Sequence, residues 1–277
     1  MTQPVIILTS PRSFSSVTCA MIGQHPQLYG MPELALYTGD SIGDILKNAP
    51  SPAYIQGLAR GIAQVIYGSQ TIAATFEAYR FMFNNQTMTP HSLLGYLHQN
   101  LNGRRIVDKS PAHSFDMSSL ERMPKDAHFI HLVRHPATYH ESLKNYHHLL
   151  GVLPNRESPT CIYDSWVTNQ NNIEKFLEQI PSERQMRIQG EDVVVNPIAS
   201  MFTVASWLGL DTSEESIEAM LHPENSPYAC IGNKYAEFGN DAHFLRAPAL
   251  RPSEVVEASL EGLPADVVEI AGRYGYI

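Results

Sequence analysis

Basic charge is scarce in this chain: 19 lysines and arginines stand against 28 aspartates and glutamates in 277 residues, a formal net charge of −9. That balance excludes the broad cationic face by which a protein tracks nucleic acid or a long anionic glycan. Cysteine is also sparse. Cys19, Cys161 and Cys230 are odd in number and lack C-x-x-C or metal-ligand spacing, which predicts a reduced, cytoplasmic chain. No apolar run approaches the length that spans a bilayer, and the opening MTQPVIILTS carries no basic region, so neither a membrane span nor a signal segment is predicted. Repeats and low-complexity tracts are missing too. An acidic chain that binds an anion must gather its few cations in one place.

What is present alternates. VIIL at residues 5–8 reads as a buried strand bounded by Pro4 and a polar turn, and the following helix runs toward Gly23, with Ser15 or Ser16 as its cap. RRIVDKS ends a second strand at Asp108 and Lys109. AHFIHLVR ends a third at Arg134, and Pro136 then suits the first turn of a helix. QMRIQGEDVVV is a further strand candidate, followed by Pro197 and an apolar helix. Strands alternating with helices predict an α/β fold: one domain over 1–277, with a central parallel sheet covered by helices on both faces. Within it, residues 34–101 read as a helical, aromatic-rich insertion, either a lid over substrate or a plain packing layer. Ligands of such sheets lie beyond the carboxyl ends of the strands, where Arg12, Lys109 and Arg134 would converge.

The turn TSPRSFSSVT has no glycine before Gly23 and no lysine, so it is neither G-x-x-x-x-G-K-[ST] nor G-x-G-x-x-G. It retains the physical parts of a P-loop-like strand-turn-helix: free N–H groups at a helix start, hydroxyls and one cation. Such a nest holds phosphate or sulfate; the plainer alternative is a serine-rich helix cap. The stretch IHLVRHPATYHESL adds Arg134 at a strand end and Ser142 two turns into the next helix, a guanidinium and a hydroxyl for one phosphate. Five histidines, 131, 135, 140, 147 and 148, crowd this region, but Lys144 breaks the H-E-x-x-H that begins at His140, and no metal is predicted.

The two motifs together resemble the signature of sulfotransferases that use 3′-phosphoadenosine-5′-phosphosulfate (PAPS). VDKSPAHSFD resembles the family's lysine-bearing strand end, and GQHPQLYGMPEL the base-bearing segment of its tyrosyl-protein branch. The wording is most similar to sulfotransferase domains of bacterial polyketide assembly lines, and the resemblance runs over nearly the whole chain. It implies that the turn at Arg12, Ser13, Phe14, Ser15 and Ser16 cradles the 5′-phosphosulfate, with Phe14 standing where many relatives have glycine. Arg134 and Ser142 hold the 3′-phosphate. Arg12 and Lys109 offset charge on the transferring group. Glu33 is the first candidate for the general base and His113 the alternative. His243 or Arg246, in a late loop, reaches the 3′-phosphate. Gly190 occupies a position where relatives often carry tyrosine.

The implied reaction moves a sulfuryl group from PAPS to a hydroxyl, without a metal, leaving 3′-phosphoadenosine-5′-phosphate. The aromatic insertion suits a small apolar, lipid-like or carrier-bound acceptor. Two alternatives are a nucleotide-dependent phosphoryl transferase and a silent PAPS- or nucleotide-binding module. The first lacks a phosphate-binding lysine after glycine and a clear metal-binding aspartate. Against the second stand Arg12, Glu33, Lys109, Arg134 and Ser142 together.

Overall fold

The computed structural model describes residues 3–49, 52–149, 159–229, 252 and 255–276. Five parallel strands form one sheet in the order β2-β3-β1-β4-β5: β1 (Val5–Thr9), β2 (Leu28–Gly30), β3 (Arg105–Lys109), β4 (His128–Val133) and β5 (Gln185–Gln189). Alternation along β1 divides the core. Ile6 and Leu8 face one layer, while Val5 and Ile7 face the other, and all four are fully buried.

On the first face pack α2 (Ile42–Asn48), α3 (Pro52–Tyr67), α4 (Ile72–Asn84) and α5 (Pro90–Gln99), through Ile42, Leu58, Ile62, Met82 and Leu93 among others. These helices come from residues 34–101, and they enter after β2, a strand that the sequence reading did not anticipate. β2 has only three residues, too few for periodicity to register. On the other face lie α1 (Ser15–Gly23), α10 (Pro197–Trp207) and α11 (Glu214–Met220), through Met21, Ile22, Val204 and Ile217. The short α6 (Met117–Glu121) adds Leu120 to the first layer, and a third cluster joins the end of β4 to α7 (Pro136–Leu149), α8 (Pro159–Leu177) and α12 (Ala265–Arg273) around the buried Trp166.

Two local expectations are corrected. The strand expected over QMRIQGEDVVV stops at Gln189, and α9 (Gly190–Val195) takes over. Glu191 and Asp192 then occupy a first helical turn, where the helix dipole favours carboxylates. Nor does Ser15 or Ser16 cap α1. Its N-cap is Phe14, without a side-chain cap bond, and the Phe14 carbonyl accepts both the amide and the hydroxyl of Thr18.

The chain leaves β1 for β2 and β3 on one side and crosses to β4 and β5 on the other. The crevice beyond the carboxyl ends of β1, β3 and β4 is therefore the topological switch point, where ligands of open parallel sheets bind.

Candidate active site

The turn leaving β1 is built on two non-glycine residues in the left-handed region, Arg12 at φ 63° and Phe14 at φ 61°. Each costs roughly 1–2 kcal/mol relative to ordinary backbone. This conformation is the physical reason a glycine would suit position 14. Phenylalanine is retained by what its ring touches. The Arg134 guanidinium lies 4.4 Å above it, and Gly190 abuts it so closely that a Cβ there would stand 2.7 Å from the ring and 3.0 Å from the Ser13 carbonyl. A tyrosine side chain at position 190 has no room here.

Arg134 donates to the Arg12 carbonyl (2.6 Å) and to Thr138 Oγ1 (3.1 Å), so the turns after β1 and β4 are tied directly. Ser142 receives Arg12 Nε at 3.4 Å, and Arg12 also lies 5.0 Å over the Tyr146 ring. Ser142 is thus drawn to Arg12, where the sequence reading had paired it with Arg134 in the grip on one phosphate. Ser13 and Ser15 are buried, and Ser13 Oγ has no hydrogen-bond partner among the described residues. A buried hydroxyl without a partner is costly. Two guanidinium groups, a turn at a helix start and this unsatisfied hydroxyl fit an anionic ligand.

Lys109 ends β3 with its side chain 2% exposed and donates to Glu33 Oε1 (2.6 Å) and Ser16 Oγ (3.0 Å). The ammonium therefore bridges the β1 turn and the Glu33 segment. Glu33 is 19% exposed. Its carbonyl is met by α3 at Gly57, where a Cβ would fall 2.0 Å from the Glu33 oxygen, so only glycine permits that approach. Tyr54, three residues earlier on the same helix, has its hydroxyl pKa pushed up by burial and then by the Glu33 carboxylate. The insertion therefore supplies a core layer and also reaches the Glu33 segment.

His113 is completely buried, and its Nε2 accepts the Tyr37 amide at 3.3 Å. Its Nδ1 then carries the proton and points toward Asp108 Oδ2, 3.9 Å away. Ser110 accepts the Ala35 amide (2.9 Å) and donates to Asp108 Oδ1 (3.2 Å). The DKSPAH segment thus grips the chain just after Glu33, where Ala35 adopts φ 48°. Sequence reasoning had named His113 but missed Asp108 and Ser110. Thr138, in the first turn of the helix that follows Arg134, was missed too. His243 and Arg246 lie outside the described residues.

Of the crowded histidines, His131 is tied into a buried network. His131 accepts Arg187 Nε at Nδ1 (3.3 Å), so its Nε2 donates to Gln170 Oε1 (2.7 Å), and Gln170 in turn donates to Ser10 Oγ (3.0 Å). Among the described residues no three His, Cys, Asp or Glu side chains are grouped to share a metal ion. No described helix is long and apolar enough to cross a membrane.

These buried groups set an expected pH dependence of stability. Burial lowers His113 and His131 to about 3, so their stabilising contributions are present above the unfolded histidine range, near 6.5, and are lost as pH falls below it. Burial raises Asp108 to about 7, which acts in the opposite sense between about 4 and 7. Two histidines outweigh one aspartate, so the melting temperature is expected to climb from pH 4 to pH 6.5. A flat or falling profile in thermal scans would show that the histidines are not held neutral.

Residues 4–214 match the model of the sulfotransferase family. No curated protein matches the chain. Among solved structures, the sulfotransferase domain from the curacin biosynthetic pathway has a TM-score of 0.84 at 24% identity, over 100% of this chain and 99% of that one. The sulfotransferase domain of the Synechococcus PCC 7002 olefin synthase gives 0.80 at 24% identity, over 100% and 97%. A sulfotransferase from Mycobacterium tuberculosis H37Rv gives 0.53 at 13% identity, over 100% and 77%. At such identities the likeness to these structures is one of fold.

Proposed function

Since the chain belongs to the sulfotransferase family, we propose that it transfers the sulfuryl group of PAPS to the hydroxyl of a small apolar or carrier-bound acceptor. The observation that carries this reading is the Ser16–Lys109–Glu33 chain of contacts, which sets a cation between an anion-binding turn and a carboxylate. PAPS would supply the activated sulfuryl group and a phosphate leaving group. The protein supplies position and charge, as in phosphoryl transfer through a loose transition state.

In this reading the turn from Arg12 to Ser16 holds the 5′-phosphate, with the Ser13 hydroxyl gaining the partner it lacks. Lys109 and Arg12 offset charge growing on the oxygen between phosphorus and sulfur as that S–O bond breaks. Glu33 takes the acceptor's proton as the new O–S bond forms. His113, whose Nε2 lone pair is occupied by the Tyr37 amide, holds the Glu33 segment instead of acting as base. Arg134 meets the 3′-phosphate from the β4 end. Tyr54 and Tyr146 flank the acceptor side, which suits an uncharged chain. In favour of a carrier-bound acceptor, one structural neighbour is a sulfotransferase domain from a biosynthetic pathway and another a sulfotransferase domain from an olefin synthase.

The reading is tested by turnover of sulfur-labelled PAPS against free alcohols and carrier-bound hydroxyacyl thioesters, with products read by mass spectrometry. No sulfated product from either class would overturn it. Ligand linkage offers a second check. At about 100 times its dissociation constant the product nucleotide should stabilise the fold by roughly 2.7 kcal/mol. At equal concentration AMP, lacking the 3′-phosphate, should raise the melting temperature less. Equal shifts would show that Arg134 does not read that phosphate.

A further inference from the structure

We infer that Glu191 and Tyr276 are positioning residues for the Arg134 turn, and that they set how well the site distinguishes a 3′-phosphorylated nucleotide from one without that phosphate. This rests on the reading of Arg134 as the 3′-phosphate ligand. Glu191 stands in the first turn of α9, beyond β5, and its two carboxylate oxygens have separate partners. Oε1 accepts the amide of His135 at 2.9 Å, the peptide immediately after Arg134. Oε2 accepts the hydroxyl of Tyr276 at 2.8 Å. The His135 ring meets the Tyr276 ring edge-on at 5.1 Å, and its Nδ1 accepts the Ala137 amide at 3.2 Å. The turn between β4 and α7 is therefore held through its backbone, its imidazole and the first amide of the helix.

Tyr276 is brought there by a built connection. Gln189, the last residue of β5, donates to the Tyr274 carbonyl at 2.9 Å, Gly275 reverses the chain at φ 85°, and the Tyr276 amide returns to the Ala271 carbonyl at 3.1 Å. Tyr276 itself is 8% exposed. It lies beyond residue 214, where the match to the family ends, so this support comes from a part of the chain that the family pattern does not describe. Its neighbour in the network touches the other anion-binding turn as well: Gly190, just before Glu191, packs against Phe14 and the Ser13 carbonyl. One dipeptide at the start of α9 thus contacts the turns after both β1 and β4.

A carboxylate this close to an anion site would repel the ligand if it were free to point inward. The two donors hold it away and use its charge to fix the turn. Removing them should move Arg134 relative to the bound nucleotide without removing Arg134 itself. A purely structural role for Tyr276 would lower stability but weaken every nucleotide alike.

The experiment is calorimetric titration of the full chain with 3′-phosphoadenosine-5′-phosphate and with AMP. Wild type is compared with Glu191→Ala, Glu191→Gln, Tyr276→Phe and Arg134→Ala. In Glu191→Ala the affinity ratio between the two nucleotides should fall about tenfold, the scale of one charge-assisted hydrogen bond. Tyr276→Phe keeps the ring and should lower the ratio in the same direction by a smaller factor. Glu191→Gln still offers an oxygen to His135 and an amide to the Tyr276 oxygen, so it should retain the wild-type ratio. Ratios unchanged in Glu191→Ala and Tyr276→Phe, with the ratio collapsed in Arg134→Ala, would overturn the positioning role alone. A ratio unchanged in Arg134→Ala would overturn the 3′-phosphate reading beneath it.

Discussion

Glu33→Gln is expected to lower the single-turnover rate of sulfuryl transfer by roughly 100- to 10,000-fold, the usual scale for a positioned base. Glutamine keeps the length and one acceptor oxygen for Lys109 Nζ, now 2.6 Å from Glu33 Oε1, but it cannot take a proton. Nucleotide affinity should be equal or tighter, because a negative charge beside an anion site is lost. A variant whose rate and nucleotide affinity fell together would mark Glu33 as part of the nucleotide grip and not as the base.

The comparison that decides the base is His113→Gln beside His113→Leu. Glutamine can place an oxygen near the position of the histidine Nε2, and so still accept the Tyr37 amide. If His113 holds the Glu33 segment, glutamine restores most of the rate that leucine loses. If His113 takes the proton, both variants are equally slow and Glu33→Gln stays near normal. Burial already argues for the first outcome: an imidazole lowered to about 3 and closed from solvent is a poor partner for an acceptor hydroxyl.

The legible parts of this molecule were those written in local pattern. The strands ending near Thr9, Lys109 and Val133 show as short β-branched runs that stop at polar residues, and Pro136 marks the start of α7. Contacts between distant segments were not legible. Lys109 and Glu33 are 76 residues apart, and Arg134 and Arg12 are 122 apart. Nothing in the local sequence reveals the left-handed backbone at Phe14, because its support comes from Arg134 and from the space left at Gly190. The missed strand β2 and the misread end of β5 have the same origin. Tertiary packing turned a three-residue segment into an edge strand, and let an aliphatic run continue as helix where propensity alone allowed strand.

Lys109→Met should be slow for a different reason, and its stability should separate it from Glu33→Gln. The lysine is 2% exposed and the glutamate 19%, so the two halves of the pair do not carry equal burial costs. In Glu33→Gln the buried ammonium keeps the amide oxygen and the Ser16 hydroxyl but loses its counter-charge, a change whose upper scale is about 3–5 kcal/mol. Removing the lysine leaves a carboxylate that reaches water, which costs less. Without ligand, Glu33→Gln should therefore melt lower than Lys109→Met. Binding 3′-phosphoadenosine-5′-phosphate should invert the order of response. In Glu33→Gln the nucleotide replaces the missing negative charge, so the ligand-induced rise in melting temperature should exceed that of wild type. In Lys109→Met the 5′-phosphate meets an unpaired carboxylate, so the rise should be smaller. The rate of sulfuryl transfer in Lys109→Met should fall by at least about 100-fold, the scale of losing one preorganised electrostatic contact. Differential scanning fluorimetry with and without the nucleotide, paired with single-turnover assays, measures all of this. Equal ligand-induced shifts in the two variants would show that Lys109 does not face the bound phosphate, and that its bond to Glu33 serves only the fold.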